Sequence, residues 1–369
     1  MKVAIVLNTS WNIYNFRMGL IKSMLEKGIE VYAIAPKDEY TQHLVDAGCH
    51  YKRVRMDSRG ANPFKDFALI IELFSIYRKI KPDLILHFTI KPNIYGTLAA
   101  NMLKIPVINN VCGLGTVFLK NNLVSKVAIA LYKLAFRFPK KIFFQNAEDQ
   151  QLFVERNMVD PNITDILPGS GIDFERFKSK QPQVKGNFTF LLISRLITDK
   201  GILEYIDAVK KLKTKGLKAK FQLLGPKDPA HKRGIPVSII DSWLKDGTVE
   251  YLGTTEDVRE FIDRSDCVVL PSYREGTPRT LLEAASMGKP IVATNVPGCT
   301  NVVKDHFNGL LCKAKDSSDL ADKMQQMYLL NDSVRQEMGK NSRKLIEQRF
   351  DEQMVINKYL QNIDLIQKN

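Results

Sequence analysis

Short apolar runs alternate with amphipathic helical stretches along nearly the whole chain, and this alternation limits the fold more than any single residue does. The run at residues 2–7 has the length and near-continuous hydrophobicity of a strand buried on both faces, and 31–35, 49–55, 84–88, 106–111, 141–145 and 163–167 read as further strands. Helical periodicity fills 16–27, 39–47, 62–80, 93–103, 123–137 and 147–157, while 8–15 reads as a loop. Asn62 and Pro63 fit the N-cap and first position of the longest of these helices. Alternation of this kind predicts a doubly wound parallel α/β sheet. The pattern breaks at Pro168-Gly169-Ser170-Gly171-Ile172-Asp173 and stays polar and basic through Pro182. A second series then begins, with strands at 188–194, 221–224, 249–252, 267–270, 290–293 and 309–312 and helices at 201–215, 236–245 and 257–265. The expected division is 1–172 and 173–350.

Five scattered cysteines, without a Cys-x-x-Cys pair or a histidine cluster, predict free thiols in a reducing compartment and no metal site. The opening apolar run is too short for a signal-peptide core, and no uncharged stretch has the length and apolarity of a spanning helix. Net charge is +14, and its distribution matters more than its size. Residues 84–147 contain no acid, yet Lys91, Lys104, Lys120, Lys126, Lys133, Arg137, Lys140 and Lys141 all fall there. No nucleic-acid motif or aromatic interleaving accompanies this charge, so a nucleic-acid partner is not expected. The segment 120–141 carries a basic apolar helix, which predicts docking on an anionic membrane surface; a core-packed helix with a solvated basic edge is the alternative.

The chemistry concentrates in Ser272-Tyr273-Arg274-Glu275-Gly276-Thr277-Pro278-Arg279-Thr280, followed by Glu283. Pro278 suits the first position of a helix and Thr277 its N-cap, so Glu275 falls on the entering loop and Glu283 inside the helix. The backbone N–H groups of Gly276, Thr277, Arg279 and Thr280, with the positive end of the helix dipole, suit a diphosphate. The loop follows the apolar run 267–270, and ligands of open α/β sheets bind at such carboxyl ends. The bland alternative is a pair of ordinary capping and solvated glutamates. Arg195 and Lys200 follow the first strand of the second half; by themselves they read as a solvated pair. Gly225 and Gly253, at further strand ends, fit either a base-binding edge or plain tight turns.

This string resembles the donor-binding signature of retaining glycosyltransferases of family four, which have the GT-B fold of two Rossmann-like domains facing across a cleft. The resemblance implies that Glu275 contacts donor-sugar hydroxyls, Glu283 the nucleotide ribose, and Arg195 and Lys200 the diphosphate. It also implies that the terminal helix, about 351–369, returns to the first domain. Without an Asp-x-Asp motif, transfer is expected to need no metal or other cofactor, fixed cations stabilising the departing diphosphate instead.

In the first half, Lys91-Pro92-Asn93-Ile94-Tyr95-Gly96, residues 111–118, Phe143-Phe144-Gln145-Asn146 and residues 167–173 resemble bacterial transferases that extend sugars on undecaprenyl diphosphate. Residues 13–18 and 36–42 resemble the α-1,3-N-acetylgalactosaminyltransferase type within that group. Implied partners are a UDP-sugar and an undecaprenyl-diphosphate-linked saccharide, and the implied location is peripheral, on the cytoplasmic face of the bacterial inner membrane. Lys91, Asn93 and Gly113 become candidates for the acceptor or the cleft. The family's glycine pair after the first strand is missing, so Asn15 and Arg17 are candidates to replace it. Gly113 and Gly115 do not make a dinucleotide fingerprint, which needs a third glycine and follows a first strand. His87 reads as a satisfied buried histidine or as a base reaching the cleft. The rival readings are a UDP-sugar 2-epimerase of the same fold and a non-catalytic membrane scaffold.

Overall fold

Strands that are apolar on both sides must be covered on both sides, and each half of the chain meets that demand with its own parallel sheet and two layers of helices. The computed structural model describes residues 1–57, 62–114, 123–178 and 186–368, with side chains from 125 onward in the third stretch. It divides into two compact units, Met1–Ser170 with Glu352–Asn369, and Gly171–Asp351.

In the first unit the strands are β1 (Lys2–Val6), β2 (Glu30–Ala35), β3 (His50–Arg53), β4 (Leu84–Phe88), β5 (Val107–Val111), β6 (Lys141–Phe144) and β7 (Thr164–Ile166). They pair in parallel in the order β3-β2-β1-β4-β5-β6-β7. The order reverses between β1 and β4. One face is covered by the helix Ser10–Glu26 and the terminal helix Glu352–Lys368, whose Val355, Ile356, Tyr359, Leu360 and Ile363 are buried with Leu20, Ile21 and Met24. Leu69, Leu73 and Tyr77 of the helix Pro63–Ile80 cover another part of the sheet, and Tyr132 and Phe136 a third.

The first helix starts earlier than its periodicity predicts. Thr9 is extended (φ −154°, ψ 150°) and its side chain accepts from the Asn12 N–H at 3.0 Å, so the expected loop 8–15 is helical from Ser10. A polar cap rather than an apolar stripe sets this terminus, which is why hydrophobic spacing misses it. Asn62 caps the longer helix as predicted, accepting from the N–H groups of Phe64 and Lys65 at 3.0 and 3.2 Å with Pro63 first in the helix.

His87 on β4 is fully buried and bonded at both ring nitrogens. Nδ1 lies 3.1 Å from Asn109 Oδ1, an acceptor, so Nδ1 carries the proton and Nε2 accepts from the Tyr77 hydroxyl at 3.0 Å. Burial pushes its pKa down to about 3. It is a neutral structural histidine.

In the second unit β8 (Phe188–Ile193), β9 (Ala219–Leu224), β10 (Glu250–Tyr251), β11 (Cys267–Leu270), β12 (Ile291–Thr294) and β13 (Gly309–Cys312) run parallel in the order β10-β9-β8-β11-β12-β13. The helices Ile202–Thr214 and Ser317–Leu329 contribute to one core, and Arg279–Ser286 and Asp332–Arg349 to the other. Among the described residues no helix is long and apolar enough to cross a membrane.

Candidate active site

β8 and β11 are neighbours, so the turns that follow them emerge side by side at the carboxyl edge of the second sheet. After β8 a short 3-10 turn, Thr198–Lys200, ends at Gly201 in the left-handed region (φ 71°). The loop after β11 is laced to it: the Tyr273 N–H and the Ser272 hydroxyl both donate to the Asp199 carbonyl, at 2.9 and 3.2 Å. From the far side the Thr294 hydroxyl donates to the Ser272 carbonyl at 2.5 Å. This lacing brings Lys200 Nζ to 2.5 Å from Glu275 Oε1, with side-chain exposures of 23% and 12%. An acid and a cation 75 residues apart in the sequence thus neutralise each other. Arg195 is exposed and its guanidinium makes no ion pair or hydrogen bond among the described residues.

The helix after the loop begins one residue later than the sequence suggests. It runs Arg279–Ser286, and Pro278, not Thr277, is its N-cap, with φ −72° and ψ 108°. The Pro278 carbonyl accepts from Leu281 and Leu282 at 3.0 and 3.2 Å. Proline's fixed φ is compatible with either position, so ψ decides, and here it is extended. No side chain caps this terminus. Glu283 lies one turn inside and accepts from Arg279 Nε at 3.0 Å, while Arg279 Nη1 donates to the Gly171 carbonyl at 2.8 Å. Burial raises the Glu283 pKa above its ordinary value and the Arg279 charge opposes that rise. The Arg279 side chain thus holds Glu283 in position, while the sequence-based candidate there is its backbone N–H. The Thr280 hydroxyl donates to the Ile193 carbonyl at 3.3 Å, tying the helix to the end of β8. Gly276 is buried in the loop and Thr277 half-buried beside it.

Gly225 donates to the Gly253 carbonyl at 2.8 Å, so these two candidates share one edge. Gly225 has φ +132°, and a Cβ there would stand 2.1 Å from the Ser194 carbonyl oxygen. Its glycine is demanded by backbone packing beneath the site.

Of the first-unit candidates, Asn15 and Lys91 are engaged elsewhere, while Arg17, Asn93 and Gly113 stay near the ends of β4 and β5. Asn15 lies within the first helix and its Nδ2 donates to the Trp11 carbonyl at 3.0 Å, so no phosphate loop forms there. Lys91 is spent on Asp66, 2.6 Å away, which also accepts from the Tyr95 hydroxyl at 3.0 Å. Arg17 is buried against Phe88, Asn93 is buried beside Asn110, and Gly113 has φ +123°. Gly115, and residues 116–118 of the resemblance, lie outside the described residues.

Sequence reasoning missed Asp199, Thr294 and the Pro297-Gly298 turn, which bracket the loop; the Glu275 N–H donates to the Pro297 carbonyl at 3.3 Å. A Pro-Gly dipeptide a few residues beyond the apolar run 290–293 is a turn signal that would have pointed to it.

Two family models match the chain, "Glycosyl transferases group 1" over residues 173–345 and "Glycosyl transferase 4-like" over residues 2–146. A Campylobacter jejuni protein, N,N'-diacetylbacillosaminyl-diphospho-undecaprenol alpha-1,3-N-acetylgalactosaminyltransferase, is 31% identical over 386 aligned residues, covering 100% of both chains. The chain belongs to the group 1 glycosyl transferases. This glycosyltransferase is also 28% identical, over 79% of its own length and 78% of the relative's, to an Escherichia coli UDP-Gal:alpha-D-GlcNAc-diphosphoundecaprenol alpha-1,3-galactosyltransferase. Its fold is GT-B, two Rossmann-like parallel-sheet units. The solved structure of HepE from Anabaena in complex with UDP has a TM-score of 0.80 to it at 18% identity, covering 99% of this chain and 100% of that one. Thermosynechococcus elongatus sucrose-phosphate synthase gives 0.82 at 17%, covering 99% of each.

Proposed function

We propose that this glycosyltransferase moves a sugar, with N-acetylgalactosamine the leading candidate, from a UDP-sugar to a saccharide carried on undecaprenyl diphosphate, in the assembly of a bacterial glycan. The observation that carries this reading is the Lys200–Glu275 pair, at the carboxyl edge of the second sheet, in a chain that aligns end to end with a transferase of that description. Arg195 and Lys200 bind the diphosphate together with the N-terminus of the helix Arg279–Ser286, Glu283 accepts the ribose hydroxyls, and Glu275 orients the donor sugar. Transfer proceeds with retention: the anomeric carbon–oxygen bond to the diphosphate breaks, the acceptor hydroxyl attacks from the same face, and its proton passes to the departing phosphate oxygen. No side chain forms a covalent intermediate. Charge grows on the leaving diphosphate as the bond breaks, so fixed cations there stabilise the transition state more than the ground state. No metal enters this scheme.

The test is UDP release and product mass, in EDTA, with UDP-GalNAc, UDP-GlcNAc, UDP-galactose and UDP-glucose offered separately beside a short polyprenyl-diphosphate-linked amino sugar. A mass gain with UDP-GalNAc is expected. Silence with every donor despite UDP binding would sink the reading in favour of an epimerase or a scaffold.

The surface of the first unit supports a peripheral place on the cytoplasmic membrane face. Phe64, Phe67 and Ile71 form an i, i+3, i+7 stripe on the helix Pro63–Ile80 and are 88%, 65% and 55% exposed. Val127, Leu134 and Phe138 are also exposed, and around them stand exposed Lys126, Lys133, Arg137 and Lys140. The helices Pro63–Ile80 and Leu123–Ala135 both pack against the turn Pro92–Gly96, so apolar and basic residues share one side of the sheet. Residues 120–122 of the expected docking segment lie outside the described residues. Co-sedimentation with phosphatidylglycerol vesicles, but not with phosphatidylcholine vesicles, is expected, and replacing Lys126, Lys133 and Arg137 by Gln should abolish it. A triple variant that sediments like the parent refutes the electrostatic contact.

A further inference from the structure

Arg17 stands on the first helix with only 5% of its surface exposed. Its guanidinium lies over the Phe88 ring, 4.2 Å from the centroid, and Nη2 is 3.9 Å from the Cys112 sulfur. Among the described residues no carboxylate pairs with it, and Nε is buried without a hydrogen-bond partner. The neighbouring polar groups are occupied with one another: Asn110 Nδ2 donates to the Tyr359 oxygen at 2.6 Å, and the Cys112 thiol to Asn110 Oδ1 at 3.2 Å. Taking a cation out of water without a counter-charge is costly, and an aromatic face recovers only part of that cost. A neutral side chain of the same length would pack better here.

Three more departures from ordinary packing gather at the same strand ends. Thr89, directly after β4, is β-branched yet has φ +65°, and its hydroxyl is buried without a partner. Asn93 is fully buried and donates from Nδ2 to the Asn110 carbonyl at 2.8 Å, leaving Oδ1 with no donor. The helix that holds Asn93 opens with a π turn, Pro92–Gly96, a rare geometry that recurs at functional sites. Arg17 and Phe88 stand where the strand order reverses between β1 and β4, which is where open α/β sheets take their ligands. Cys112 and Gly113 beside them are half-buried, so this edge of the cluster reaches solvent.

We propose that Arg17, Asn93 and Thr89 form a sugar-diphosphate subsite within the first unit. The guanidinium takes diphosphate oxygens, and Asn93 Oδ1, which can only accept, takes a hydroxyl or acetamido N–H of the attached sugar. A bare anion would be repelled by that amide oxygen, so the set fits an anion that carries hydrogen-bond donors. Naming the anion a diphosphate rests on the proposed function, in which the UDP-sugar and the lipid-linked acceptor both carry one.

The full chain is tested by calorimetric binding of UDP-GalNAc and of a farnesyl-diphosphate-linked N-acetylhexosamine, beside its thermal melt. Arg17→Met keeps the aliphatic stem on Phe88 and removes the charge; Arg17→Lys keeps the charge and loses the planar fork. Without ligand, Arg17→Met is expected to melt at or above the parent temperature, which a purely structural arginine would not allow. Its affinity should fall roughly tenfold or more for the diphosphate that uses the subsite and stay unchanged for the other, with Arg17→Lys between. Loss on the farnesyl arm assigns the subsite to the acceptor, loss on the nucleotide arm to the donor. Parent-like affinity for both ligands in Arg17→Met overturns the proposal, and if that variant does not fold, parent-like affinity for both in Arg17→Lys overturns it. Binding is read without turnover, so a chain that transfers nothing but loses diphosphate affinity with Arg17→Met would sink the proposed function and keep the subsite.

Discussion

Glu275→Ala lowers transfer by at least about a hundredfold, the scale seen when one preorganised polar group at a reacting centre is removed, while UDP binds as tightly as before or more tightly. The two halves of this outcome have different origins. Loss of turnover follows from the role given to Glu275, holding the donor sugar's hydroxyls in the geometry that bond breaking needs. Preserved UDP affinity follows from the ion pair. Glu275 Oε1 sits 2.5 Å from Lys200 Nζ, so in the parent the ammonium is shared between that carboxylate and an incoming diphosphate. Without the carboxylate, the Lys200 side chain, only 23% exposed, is left with its charge unmatched, and a diphosphate becomes its best partner. Glu275→Ala should therefore melt lower than the parent without ligand and recover more on adding UDP. Steady-state kinetics, UDP calorimetry and a melt with and without UDP read all three quantities. Parent-like turnover would remove Glu275 from the chemistry. A collapse of UDP affinity together with turnover would mean that Glu275 acts by anchoring Lys200 and not on the sugar.

Gly298→Ala is expected to displace the loop that carries Glu275 and to destabilise the second unit. Gly298 has φ +85°, and an added Cβ would lie 2.5 Å from the Glu275 carbonyl oxygen and 2.6 Å from that of Gly276. Both obstacles are backbone, and the Glu275 N–H donates to the Pro297 carbonyl next door, so the methyl group cannot be accommodated by turning a side chain. Backbone strain and displacement of the loop together should cost about 2–4 kcal/mol. Moving the loop also moves Glu275 away from Lys200, so kcat/KM should fall more than tenfold. Gly216→Ala is the control. Gly216 has a similar φ of +79° with nothing within 4 Å of an added Cβ, so it reports the left-handed conformation alone, about 1 kcal/mol. Urea unfolding midpoints and turnover for both variants decide the matter. If Gly298→Ala behaved like Gly216→Ala in both, the close approach to the loop would be irrelevant.

What could be read early was local. Each apolar run of four to seven residues, each Asn or Gly at a helix end and the break at Pro168-Gly169 acts over a few neighbours, and those signals together specify two doubly wound parallel sheets. The motif around Glu275 is local in the same sense: nine consecutive residues define a loop and the start of a helix at a strand's end. Where two local signals competed, the sequence misjudged the terminus. Thr9 began the first helix before any apolar spacing appeared, and Pro278 could cap or enter its helix until ψ was known.

The state of the site is set by contacts between distant parts of the chain. Lys91 looked like a free cation for an acceptor, but Asp66, from another helix, takes it up. Arg17 was a candidate to replace the family's glycine pair, but that Phe88 and Cys112 bury it without a counter-charge is visible only in the structure. Glu275 stands out by its motif and Lys200 only through the resemblance, yet their mutual neutralisation depends on the adjacency of β8 and β11, and the glycine at 298 on the close approach of the loop after β11. The sequence by itself determined the two-sheet architecture and the loop that carries the chemistry, because periodicity, capping and turn geometry are short-range. Only the tertiary structure decided which charges are matched, which are left open and which glycines are obligatory, because charge pairing and close packing depend on distance in space, and the chain crosses dozens of residues to bring those partners together.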